Sequence, residues 1–117
     1  MAEIQVVRSG ERAAWSALVD PPGEQGTGGA ALDVFASTDR TFTTGLWERE
    51  PDTWSFERPY HEVAIILAGR ADIEEPDGTV HSVGPGDVLV TAQGTKGTWR
   101  IHEKIVKFWA IYDSPAE

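Results

Sequence analysis

The chain has 117 residues, 40% apolar and 25% charged, which suits one domain burying roughly two-thirds of its unfolded surface. A net charge of −9 sets it against phosphate backbones and anionic membranes, so neither nucleic acid nor membrane is an expected partner. There is no cysteine for a disulfide, a thiolate nucleophile or a metal. No basic-then-apolar leader and no apolar run near the ~18 residues of a bilayer span is present, and the expected location is cytoplasmic.

Ile4, Val6 and Val7 predict a short opening strand, and Ala13 to Leu18 one helical or irregular turn that packs Trp15 and Leu18. Pro21-Pro22 ends that turn, because proline cannot continue a helix and restricts the residue before it. Residues 24–29 are glycine-rich and aperiodic, a flexible loop. Residues 1–29 are therefore expected to form an N-terminal arm and residues 30–117 the body of the domain. Ala31–Ser37, Thr41–Arg49 and Thr53–Arg58 are the next predicted strands. In the third, period two puts Trp54, Phe56 and Arg58 on one face, with Ser55 and Glu57 on the other.

Pro59 has no N–H and must interrupt the ladder, so the facing of Tyr60 and His61 is open at this point. His61 and Glu62 are neighbours and face opposite ways unless Pro59 distorts the strand. Val63–Leu67 reads as a strand stopped by Gly69. Turns follow at Pro76-Asp77-Gly78 and at Gly84-Pro85-Gly86-Asp87, and Val88–Thr91 resumes a strand. Lys104–Tyr112 is nearly continuous apolar sequence, as for a strand covered on both faces. Lys107 inside it is a candidate buried cation, which requires a carboxylate nearby. Short strands with turns roughly every 8–12 residues make the fold class all-β, a sandwich or small barrel.

Tyr60 to Val90 also carries a resemblance. Glu62 is separated from Gly69 by VAIILA, and Gly86-Asp87 follows a Pro-Asp-Gly hairpin. Gly45-Leu46-Trp47-Glu48 lies upstream; Gly94 to Trp99 and Val106 to Ile111 lie downstream. The pattern, from Gly45 to Tyr112, resembles the cupins, a superfamily of double-stranded β-helix (jelly-roll) barrels. It is similar to small single-domain cupins related to the (S)-ureidoglycine aminohydrolase cupin domain and to the ethanolamine-utilisation cupins. The resemblance implies a jelly-roll barrel with an N-terminal arm that lies across a neighbouring subunit. Exposed strand edges and apolar surface point to a homodimer.

Metal-binding cupins present two histidines and a glutamate in their first motif and one histidine in their second. Glu62 matches the carboxylate position. The two histidine positions fall on Phe56 and Arg58, or on Ser55 and Glu57, and the last falls on Gly97. No metal site and no cofactor is therefore expected; a divalent transition ion would need ligands outside these positions. Of the acidic, histidine and glutamine positions the aminohydrolase uses, only Glu62 is kept. The remaining histidines, His81 and His102, read as surface residues.

Without a metal the cup is aromatic with a few charges. Trp47, Trp54, Phe56 and Trp99 are candidates for its wall, with Tyr60 at the mouth. Arg58 and Lys107 are candidate partners for Glu62, and all these residues are candidate ligand contacts. Glu62, and His61 if it turns inward, are the candidate catalytic bases. The reading is a cupin that binds a small polar or carboxylate-bearing metabolite in its barrel, enzyme or not. The alternatives are a metal-assisted C–N hydrolase acting on a small ureido or amino compound, or a non-catalytic structural or regulatory dimer with a filled barrel.

Overall fold

A computed structural model describes residues 4–17 and 29–113. After a short 3-10 turn, Arg12–Ala14, come eight strands: β1 Ser16–Ala17, β2 Gly29–Ala36, β3 Phe42–Arg49, β4 Thr53–Glu57, β5 His61–Glu74, β6 Val80–Val83, β7 Val88–Thr91 and β8 Lys96–Tyr112. All pairings are antiparallel, and the path runs β1-β2-β3-β8-β5-β6, with β4 on β8 and β7 on β5.

The two long strands make the barrel. β5 and β8 pair from His61↔Tyr112 to Glu74↔Thr98, and each changes its outer neighbour half-way. One half is β4-β8-β5-β6; the other is β1-β2-β3-β8-β5-β7. Register shifts between Ile66 and Ala71 divide the halves and turn the ribbon, giving a jelly-roll barrel.

Gly69 sits at that bend with φ +91°, and a Cβ there would lie 2.1 Å from the Lys104 carbonyl oxygen. Only glycine fits such a backbone approach. The expected stop at Gly69 is thus a bulge, and the strand continues to Glu74. β8 likewise begins at Lys96, not Lys104. Its first half alternates Gly97, Trp99 and Ile101 inward with Thr98, Arg100 and His102 outward, a period-two signal overshadowed by the apolar run that follows.

The expected opening strand does not form: Ile4, Val6 and Val7 are exposed and lie in no strand. β1 takes the edge of β2 instead, through Ser16↔Ala31 and Ala17↔Ala30. The 3-10 turn lies near the outer face of β3, where Arg12 pairs with Glu48 and stacks on Trp15 at 3.8 Å. Leu18, Pro21-Pro22 and most of the glycine-rich loop lie outside the described residues. No helix among the described residues is long and apolar enough to cross a membrane.

The apolar core fills the bend end of the barrel: Ile66, Ala71, Ile73, Val83, Trp99, Ile101 and Ile105. Trp47, Trp54, Phe56 and Leu89 pack against it and mark the boundary with a polar cavity.

Candidate functional site

The polar end is assembled by register. Trp47 of β3 lies opposite Lys107 of β8, Lys107 opposite Ile66 of β5, and Trp54 of β4 opposite Trp99. Side chains alternate along each strand, so Glu62, Ala64 and Ile66 all turn inward, as do Lys107 and Trp109. The two-residue step carries through Pro59, so Arg58, Tyr60 and Glu62 all face the cavity.

Glu62 and Lys107 are each 5% exposed, and the Lys107 ammonium donates to Glu62 Oε2 at 2.9 Å. Arg58 Nη2 stands 3.7 Å from the same oxygen, too long for a hydrogen bond, so that contact is one of charge. Arg58 is held by its Nε, which donates to Thr91 Oγ1 at 3.1 Å, and by the Phe56 ring 4.4 Å beneath its guanidinium. The ammonium also lies 4.7 Å from the Trp47 ring centroid and 5.2 Å from that of Trp99, where the negative π-faces favour a cation. Trp54 and Trp99 stack almost parallel, 5.8 Å apart at 3°.

Burial pushes the Lys107 ammonium below the ordinary lysine value, and the adjacent Glu62 carboxylate opposes that shift. Burial raises the Tyr60 phenol, with Arg58 acting in the other direction. Both shifts arise in a cavity of about 350 Å³.

The structure brings Trp47, Trp54 and Trp99 to this cavity together with Arg58, Tyr60, Glu62 and Lys107. Phe56 is not among its lining; it packs on the core and supports Arg58 from behind. His61 is not there either. Its Nδ1 accepts the Gln93 amide at 3.1 Å and its ring stacks on Tyr112 at 6.2 Å. Four lining residues went unpredicted: Arg49, two beyond Trp47; Trp109 and Ile111, two and four beyond Lys107; and Ala31, opposite Trp47 on β2. Period two from those neighbours was the available signal for the first three. Arg49 is tied to Asp52 at 3.1 Å and lies 4.3 Å over Trp54. His81 and His102 are exposed, each against a carboxylate, Glu75 at 2.7 Å and Asp72 at 2.9 Å.

The donor set does not fit the metal of the wider superfamily. At the motif positions stand a phenyl ring, a guanidinium and a glycine. A Cβ on Gly97 would lie 3.0 Å from Phe56 Cζ, so the ring has closed the space where another ligand would project. Glu62 is already engaged by the Lys107 ammonium, and two cations face the volume a divalent ion would need. Among the described residues no group of three or more His, Cys, Asp or Glu is placed to hold an ion.

No curated protein matches the chain. The ethanolamine utilization protein Q of Salmonella typhimurium LT2 superposes with a TM-score of 0.64 at 14% identity, covering 73% of this chain and 69% of that one. The Clostridium difficile EutQ protein gives 0.61 at 19%, covering 72% and 68%. A Rhizobium leguminosarum protein of unknown function gives 0.71 at 17%, covering 97% and 100%. At such identities the likeness is one of fold. Residues 36–109 match the family described as the EutQ-like cupin domain, and the chain belongs to that family.

Proposed function

We propose that the barrel binds a small carboxylate-bearing metabolite without the metal used elsewhere in the superfamily. The observation that carries this is the convergence of two cations on one carboxylate oxygen, Lys107 Nζ at 2.9 Å and Arg58 Nη2 at 3.7 Å, inside an indole-lined cavity. With both cations protonated, Glu62 leaves the trio with one unit of excess positive charge in a low-dielectric space. An incoming carboxylate is attracted there far more strongly than in water. The cavity falls in the range of small-molecule sites, which are typically apolar walls with a few convergent polar groups.

Thermal-shift and calorimetric titrations with acetate, propionate and benzoate, against the matching amides, test the reading. The acids should raise the melting temperature and the amides should not; a ligand at 100 times its Kd adds about 2.7 kcal/mol. Arg58→Met should abolish the acid response. Acids and amides acting alike, or neither acting, would sink it. C–N hydrolysis has only the placement of Glu62 in its favour, and ammonia release from ureido compounds would be its sign.

The expected homodimer is proposed on the outer face of β5 and β7. Val63 lies opposite Val90 and Ile65 opposite Val88, all four exposed, with exposed Leu67 beside them. This stripe carries no charge on a chain of net −9, so a second copy can approach there with the least repulsion, apolar face to apolar face.

A further inference from the structure

An ion pair alone does not account for the surroundings of Lys107. A lysine whose only task is to neutralise Glu62 does not need a cavity beside its nitrogen, and Arg58 could serve in that role. We infer that Lys107 captures a small 2-oxo acid as a reversible imine, with Glu62 moving the protons and Arg58 holding the carboxylate. This rests on the reading of the cup as a carboxylate site and adds the substrate class and a reaction.

The spacing selects the substrate. Arg58 and Lys107 approach the same Glu62 oxygen within 3.7 Å, so a ligand that meets both carries its carboxylate close to its reactive carbon. A 2-oxo acid does. Its carboxylate sits against Arg58, its C2 faces the Lys107 nitrogen, and a short carbon tail lies among the indoles. The desolvated site supports the chemistry, since burial favours the neutral amine that attacks.

The steps balance without another reagent. Glu62 takes one proton from the Lys107 ammonium. The free amine adds to C2, forming the C–N bond as the carbonyl π-pair moves to oxygen, which regains that proton from Glu62. Glu62 then removes a second proton from nitrogen and delivers it to the hydroxyl, which leaves as water while the nitrogen lone pair forms C=N. The products are a protonated imine, one water and the Glu62 carboxylate, with net charge unchanged.

The chain offers its own controls, because its only other lysines, Lys96 and Lys104, are both exposed. Pyruvate with sodium cyanoborohydride, followed by intact mass and peptide mapping, should place one adduct per chain on Lys107. In a Lys96→Arg/Lys104→Arg background the adduct should persist. Lys107→Arg, which keeps the charge, should lose it, Glu62→Gln should slow it at least tenfold, and excess acetate should block it. Adducts confined to Lys96, Lys104 or the terminal amine would overturn the inference. Calorimetry with pyruvate and no reductant separates the two ideas. Heat of binding without an adduct overturns the imine and leaves the carboxylate site standing; neither heat nor adduct overturns both.

Discussion

The two faces of β5 invert the usual arrangement of a soluble sheet. Its inner residues begin with buried Glu62, which meets Lys107 of the adjacent β8, and only then become Ala64, Ile66, Ala71 and Ile73. Its outer residues over the same span are Val63, Ile65 and Leu67, at 47%, 36% and 44% exposed. Charge lies inside and aliphatic surface outside. Neither choice favours an isolated, ligand-free chain. A buried ion pair loses hydration it rarely recovers in full, and apolar residues in water contribute nothing to folding. On the proposed reading, the inner face serves a ligand and the outer face a second chain.

That contrast can be broken from either side. The largest effect is expected inside: Glu62→Leu strands the Lys107 charge among indoles and should cost roughly 3–5 kcal/mol in urea unfolding. The double variant Glu62→Leu/Lys107→Met removes both charges and should recover most of that loss, whereas additive losses would show that the two residues act independently and are not coupled as an ion pair.

A smaller inner effect is a dependence on pH. Because the folded Lys107 has a lowered pKa, the unfolded chain holds more protons between that value and the ordinary 10.5. Stability should therefore rise with pH across that interval relative to Lys107→Met. Tyr60 acts the other way above its ordinary 10.0, since its raised phenol keeps a proton the unfolded chain has lost, so the comparison is best made below that point. A slope identical in the two proteins would contradict the assignment.

On the outer face, Val63→Lys with Val90→Glu, an opposite-charge pair across the β5–β7 register, should convert dimer to monomer in sedimentation while changing monomer stability by only about 0.5 kcal/mol. A wild-type protein that is already monomeric would remove the outer half of the contrast. The smallest effect concerns Asp72, whose carboxyl is held below the ordinary range by hydrogen bonds from His102 and Ser82. Its stabilising contribution is present above the ordinary 3.8 and is lost as pH falls below it, so Asp72→Asn should slightly flatten the acid limb of the stability profile.

Much of this was legible in the residues. Alternation alone placed Trp54 and Arg58 together, and an apolar strand with one lysine in it demanded a buried carboxylate. Glu62 was the candidate, yet its direction could not be read, because a proline just upstream can shift the phase of a strand; here Arg58, Tyr60 and Glu62 keep the two-residue step across Pro59. Gly69 misled for a related reason: a glycine that ends a strand and one that bulges within it look alike until its partner strand is known. The first half of β8 was overlooked because its outward positions are polar, which hides a strand beside a longer apolar run. Arg49 and Trp109 needed only the two-residue step from Trp47 and Lys107. Ile4 and Val6 have strand-like character, but β propensity counts for little without a neighbouring strand to pair with.

The parallel stack of Trp54 and Trp99 has an optical consequence. Two indoles held face to face at 5.8 Å couple their electronic transitions, and the resulting exciton couplet depends on their mutual angle. Anything that enters beside them should tilt one ring or alter its polarity, so the protein carries a built-in spectroscopic reporter. Circular dichroism in the aromatic region can then follow occupancy of the cup without a dye or a label.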